Sequence, residues 1–379
     1  MTGFNTKLVH GIDINDNNTG AVVVPVYSAT TYQYGKPNEL PRWDYARSGN
    51  PTREFVEKQI AELEGGYRGF ALSSGMAAIH SVFATFRPGD HIIISNSIYG
   101  GTFRLVNEYL KELEIEFTEV NIQDLAEIEA AIKPNTKAIY FEVVDNPLLR
   151  VASVKQISAL VSQYNVLTIV DNTFLTPYLQ QPLKLGANIV IHSATKYLNG
   201  HSDNTAGLVV VDSAALADKV YFIQNAIGGI LSPENSNLLR RGIQTLAVRM
   251  DRHLENTHKL VEYFSKQSIV AKVHYPGIQN DASDAIARDE LRDGGGVVTV
   301  TFVDHVDVTA AIEKLKIFKL AVSLGSVESL VETPYNMSHA ELPVEERLRL
   351  GITPQLVRIA VGLEDSTDLI ADIDQAFNN

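Results

Sequence analysis

Lys196 lies in the run Ser193-Ala-Thr195-Lys196-Tyr-Leu-Asn-Gly200, just beyond a β-branched apolar run that ends at Ile191. A second apolar run, Gly207 to Val211, comes closely after it. A lysine beyond a buried strand can form a Schiff base with a carbonyl, while the hydroxyls of Ser193 and Thr195 hold a phosphate. Upstream, another apolar strand pattern closes on a carboxylate at Val170-Asp171-Asn172-Thr173. An aldehyde-capturing lysine, phosphate donors and an acid that keeps a pyridine nitrogen protonated are what pyridoxal phosphate requires. The plainer readings are a solvated lysine and, for Asp171, a helix cap at a strand end.

Two other stretches carry chemistry of the same kind. Ser73-Ser74-Gly75-Met76 opens an apolar-periodic helix over Ala77–Phe86. Such a turn offers free backbone N–H groups and a positive dipole end to an anion, or serves simply as an N-cap. Arg358 stands inside the strand pattern Val357–Val361, where an unpaired charge is costly, so it meets either a carboxylate ligand or an ion-pair partner.

These residues must be positioned by strand ends. From Gly69 onward, short buried strands alternate with helices: Phe70–Leu72, His91–Ser95, Ile115–Val120, Lys137–Val143, Asn165–Val170 and Ala187–Ile191. Helices are expected between them, over Gly100–Leu113, after the capping pattern Asp124-x-x-Glu127, and after Ser153-x-x-Gln156. The pattern predicts an α/β fold with a large, mostly parallel sheet, whose ligands gather beyond the carboxyl ends of the strands. Near Ser232 the rhythm changes. One long helix is expected over Ser236–Ser268, with Arg240, Arg241, Arg249 and Arg252 forming a charged face. Strands at Val297–Phe302 and Val357–Val361 alternate with helices at Val308–Leu315 and Thr367–Phe377, which reads as a smaller α+β domain. Gly294–Gly296 reads as a flexible turn, and His253 and His258 do not share a helix face, so no metal pair is expected.

The expected divisions are an arm over 1–50 without a helix period, a cofactor-binding domain over 51–235 and a C-terminal domain over 236–379. A chain of 379 residues exceeds one ordinary core. With 32 basic against 45 acidic residues, the net charge of −13 argues against nucleic acid or an anionic membrane as partner. The absence of cysteine excludes disulfides, thiolate metal sites and cysteine catalysis. No apolar run approaches membrane-spanning length and the first residues lack a signal-peptide core, so a cytoplasmic protein is expected.

The run Ser193 to Asp203 resembles the Cys/Met-metabolism family of pyridoxal-phosphate enzymes, and the likeness can be traced from about Tyr27 to the C-terminus. The resemblance implies a fold-type I, aspartate-aminotransferase-like architecture and a homotetramer built as a pair of dimers. It implies that Lys196 carries the cofactor, Asp171 faces its ring nitrogen, Tyr99 stacks on the ring near the leaving group, and Gly75, Met76, Ser193 and Thr195 hold the phosphate. Tyr45 and Arg47, in a stretch that otherwise reads as a polar turn, would reach the phosphate of a neighbouring subunit. Arg358 would bind the substrate carboxylate with Asn146 and Ser329 nearby. Arg104 would meet the substrate's far end, and Asp44 and Glu328 would attract its distal ammonium.

The activity implied by the resemblance is that of a carbon–sulfur lyase of transsulfuration acting on sulfur amino acids. γ-Cleavage of cystathionine leads and β-cleavage is the alternative; γ-synthase and methionine γ-lyase activities stand further back, as does an inactive binding protein on the same fold. The sequence departs from the family at several places. Glu142 is succeeded by Val143-Val144 rather than a Ser/Thr-Pro pair, Ser326 replaces a usual glycine, and Asn204-Thr205 replaces two valines. Gly101 stands where many methionine γ-lyases carry cysteine.

Overall fold

The strands whose ends carry the candidate residues assemble into one seven-stranded sheet. In chain order they are β1 (Arg68–Leu72), β2 (His91–Ser95), β3 (Glu116–Val120), β4 (Thr136–Glu142), β5 (Leu167–Asp171), β6 (Ile189–Ser193) and β7 (Gly207–Val211). Their spatial order is β1-β7-β6-β5-β4-β2-β3. β7 runs antiparallel to both of its neighbours and the remaining pairs are parallel. The carboxyl ends of β1, β4, β5 and β6 and the amino end of β7 therefore share one edge. Leu72 and Ser193 both pair with Gly207 there, and Glu142 pairs with Asp171.

Burial on both faces explains why these strands read as continuous apolar runs. Ile93, Ile139, Val170 and Val190 enter one core cluster, while Ile92, Ile94, Ile169 and Ile191 enter another. Local sequence sets several helix starts. Asn50 accepts from the N–H groups of Thr52 and Arg53, with Pro51 as the first residue of the helix Pro51–Glu64. Asp124 and Ser153 cap the helices Leu125–Ala130 and Val154–Ser162, as their spacing predicts.

A second sheet contains β8 (Val270–His274), β9 (Val297–Phe302), β10 (Lys319–Leu320), β11 (Leu330–Glu332) and β12 (Leu356–Ala360), in the order β10-β11-β12-β9-β8. Its outer face packs with the helices Leu246–Phe264 and Ser366–Phe377 through Leu260, Phe264, Leu369 and Ile373. Val297, Leu330 and Ala360 join the core cluster of the large sheet, and this places Arg358 of β12 toward the large sheet's edge.

This computed structural model describes residues 3–11 and 19–378; residues 1–2 and 12–18 of the expected arm lie outside the described residues. Four local expectations need correction. The arm contains a helix, Phe4–His10, too short for a sequence period, anchored by buried Leu8 and by Gln59 donating to the Leu8 carbonyl. The long C-terminal helix is two, Pro233–Gln244 and Leu246–Phe264, divided at Thr245. Its charged face is partly interior: Arg240 and Arg249 are buried, and Arg249 donates to the carbonyls of Tyr197 and Gly242. The triple glycine is packed rather than free, since a Cβ at Gly296 would lie 2.6 Å from the Tyr197 hydroxyl oxygen. Among the described residues no helix is long and apolar enough to cross a membrane.

Candidate active site

A cavity of about 440 Å³ opens at the shared strand edge. Its wall includes Gly75, Met76, Tyr99, Arg104, Asn146, Asp171, Ser193, Thr195, Lys196 and Arg358, all singled out from sequence. Strand geometry accounts for the convergence. Glu142, Asp171 and Ser193 are the last residues of β4, β5 and β6, while Gly75 begins the helix Gly75–Phe83 after β1.

The phosphate end is built from that helix and from Ser193. Ser74 accepts from Ala77 N–H, and the first backbone bond runs from Ala78 N–H to the Ser74 carbonyl. The N–H groups of Gly75 and Met76 thus precede the helical ladder and remain available at its positive end. A methyl at Gly75 would come 2.8 Å from both Cβ and Oγ of Ser193, so only glycine leaves this cradle open. Thr195 lines the same wall, with its hydroxyl accepting from Ala206 N–H and donating to the Ala206 carbonyl. The Gly75 and Met76 N–H groups with Ser193 Oγ fit a phosphate, and Thr195 would join them by turning its proton from the Ala206 carbonyl.

Lys196 Nζ donates to Ser323 Oγ at 2.6 Å. Burial, and after it the positive charge of Arg358, lowers its pKa to about 8, opposed by the negative charge of Glu332. Asp171 Oδ1 accepts from Thr173 N–H at 2.9 Å. Burial raises the Asp171 pKa, while hydrogen bonds from Thr173 and the charge of His192 act against that rise. An amine within reach of neutrality and an anchored carboxylate lining one cavity fit an aldehyde-bearing pyridine. Tyr99 lies on the cavity wall, and its backbone N–H donates to Glu142 at 2.6 Å. A side chain at Gly101 would press on the Tyr99 ring and on Met76 Sδ, so the glycine leaves the ring its place.

Arg358 is a buried cation with three tethers. Its guanidinium meets Glu332 at 2.8 Å, the Asn146 side-chain oxygen at 3.0 Å and the Ser323 carbonyl at 2.8 Å. Glu332 lies opposite Arg358 in the β11–β12 ladder. Arg104 reaches the mouth from the helix Gly100–Arg104 and pairs with Glu341 at 2.5 Å, where both side chains are more than half exposed.

Five predicted residues lie elsewhere. Ser329 is fully buried beneath β11, with Glu364 accepting from its hydroxyl and N–H. The serine at the cavity is Ser323, six positions earlier in the same motif and held at φ 97°, a region disfavoured for any residue with a Cβ. Glu328 turns away to accept from Ser202 at 2.5 Å. Asp44 accepts from Tyr45 N–H, and Arg47 lies over the Tyr45 ring and donates to Asn225. Neither Asp44, Tyr45 nor Arg47 lines the cavity of its own chain. Sequence reasoning missed Ser323, Glu332 and Glu341 as site residues. The positive φ, the ladder pairing and the loop contact that bring them in have no local signature.

The comparisons with known proteins agree with this geometry. The family model for Cys/Met metabolism PLP-dependent enzymes matches residues 5–378. A relative from Lactococcus lactis subsp. cremoris named cystathionine beta-lyase is 48% identical, covering 100% of this chain and 99% of its own. One from Bacillus subtilis (strain 168) named cystathionine gamma-lyase is 45% identical, covering 99% of each. The crystal structure of cystathionine gamma-lyase from Lactobacillus plantarum complexed with L-serine aligns with a TM-score of 0.97 at 45% identity, covering 100% of this chain and 99% of that one. With a family match across nearly all of its length and relatives at 45–48% identity end to end, the chain belongs to the Cys/Met metabolism family of pyridoxal-phosphate-dependent enzymes.

Proposed function

We propose that this chain is a carbon–sulfur lyase acting on cystathionine, by γ-elimination to cysteine, 2-oxobutyrate and ammonia, with β-elimination as a substantial second activity. The observation that carries the lyase reading is Lys196, an amine with its pKa lowered to about 8, in one cavity with Tyr99 and the tethered Arg358. Pyridoxal phosphate, when bound, supplies an aldehyde that joins amines and a ring that withdraws electrons from the substrate's α-carbon.

Arg358 binds the substrate's α-carboxylate. Its buried tethers fix the guanidinium before substrate arrives, so little orientation is lost on binding. Lys196 Nζ removes the α-proton, and for γ-elimination it then moves a proton from the β-carbon. Ser323 Oγ holds the amine on the side of the cavity where Arg358 places the substrate. Asp171 would stay ionised against the ring nitrogen, and Gly75, Met76, Ser193 and Thr195 would hold the phosphate. Tyr99 would stack on the ring and stand near the departing sulfur. Arg104 would take the distal carboxylate. Tyr45 and Arg47 would complete the site of a second copy, which makes at least a dimer the working unit.

β-Elimination as the leading activity is the second reading, favoured by the name of the relative at 48% identity. The acidic wall expected to favour γ-cleavage is weakened by Glu328, which bonds Ser202 rather than lining the cavity. The ratio of 2-oxobutyrate to pyruvate formed from cystathionine tests the choice. An excess of 2-oxobutyrate supports γ-cleavage, and an excess of pyruvate replaces it with β-cleavage.

A further inference from the structure

We infer that Glu142 is a positioning residue that keeps its proton in the working enzyme: it fixes Tyr99 and leaves Asp171 to carry the site's negative charge. The inference rests on the proposed role of Asp171 toward the ring nitrogen.

Glu142 and Asp171 are level across the parallel β4–β5 ladder, and both line the Lys196 cavity. Side chains at paired positions leave the same face of a sheet, with strands about 4.8 Å apart. Two carboxylates so placed and so buried cannot both ionise without a large penalty. Their partners decide which one keeps the proton. Asp171 Oδ1 accepts from Thr173 N–H, a bond that favours its charged form. Glu142 accepts from the Tyr99 N–H, and the further acid close by, Asp145, is itself paired with Arg150 at 2.6 Å. Tyr140, beneath both on β4, has a hydroxyl that burial holds neutral, so it brings no charge. The cations of the cavity are placed elsewhere: Arg358 against Glu332, Lys196 on Ser323 and Arg104 on Glu341. Burial and then the charge of Asp171 raise the Glu142 pKa well above the carboxylate range, in the direction the geometry demands.

The bond to Tyr99 gives this neutral group its use. Tyr99 is the residue immediately before the helix Gly100–Arg104, and its side chain lies on the wall where the cofactor ring would sit. A carboxyl oxygen accepts the Tyr99 amide whether or not the group is protonated. The protonated form does so without competing with Asp171.

Infrared spectroscopy of the holoenzyme, with carbon-13 placed only in glutamate, tests the inference at neutral pH. The expected result is an isotope-shifted carboxylic-acid carbonyl band that disappears in Glu142→Gln. No such band in the wild type would overturn the neutral assignment. For positioning, Glu142→Ala should weaken cofactor binding about tenfold, while the isosteric Glu142→Gln stays within about threefold. Equal losses in both variants would overturn neutrality, and no loss in Glu142→Ala would overturn the positioning role. If Glu142→Ala does not fold, the infrared comparison of wild type with Glu142→Gln still decides the protonation. Borohydride reduction and peptide mapping of the same sample separate the two levels. A tag away from Lys196 refutes the site itself, whereas a tag on Lys196 with no band refutes only the inference about Glu142.

Discussion

At the floor of the cavity, Asp171, Ser193 and Arg358 come from strands β5, β6 and β12, Lys196 lies just past β6, and their partners are at least partly buried. At the mouth, Arg104 and Glu341 meet as an exposed ion pair between a short helix and a loop. The floor is held by backbone ladders and desolvated contacts, so its geometry is set before any ligand arrives. The mouth is held by a solvent-screened pair of long side chains, which is weak and can re-form around different ligands. The chemistry common to the family would reside in the first region, and substrate preference in the second.

The largest effect that would break this contrast is at Lys196. Lys196→Ala is expected to lower turnover by about a thousandfold or more, within the range of general acid–base catalysis, and to abolish the borohydride tag. Arg358→Ala should raise KM for every amino-acid substrate by about 10- to 100-fold, since a charge-assisted contact made in the ground state is lost. Steady-state kinetics on cystathionine and on a short S-alkyl cysteine would check that the rise is common to both.

A smaller effect is expected in pH dependence. Capture of pyridoxal phosphate by the apoenzyme needs a neutral Lys196, so its rate should climb as pH rises through about 8. Glu332 opposes the lowering of that pKa, so Glu332→Gln should move the rise to lower pH. Stopped-flow absorbance across pH measures both, and a shift toward higher pH would contradict the electrostatics. The smallest effect on stability belongs to the mouth: Glu341→Gln should change unfolding free energy by less than about 1 kcal/mol. Denaturant titration checks this, and a larger loss would mean that the pair is part of the rigid scaffold.

Much of the floor was legible because its residues sit next to strong local signals. Lys196, Asp171 and Gly75 come at or after the ends of short apolar runs, and those runs had to become buried strands with their carboxyl ends together. The motif Ser323–Leu330 is recognisable too, but its sequence points to Ser329 as the site residue. Which serine faces Lys196 depends on a positive-φ turn at Ser323 and on Ser329 being tied to Glu364. Arg249 is similar. Its helix period predicts an exposed cation, while the approach of the Lys196 loop buries it against three backbone and side-chain oxygens.

The sequence by itself determined the α/β alternation, the lysine and its hydroxyl neighbours, and the acid at the end of β5. These depend on periodicity and on residues near one another in the chain. Tertiary structure alone decided that Glu332 backs Arg358, that Glu142 stands beside Asp171, and that Glu328 turns to Ser202. Strand register and the docking of one sheet against the edge of another fix those contacts, and both are set by packing across long separations in the chain.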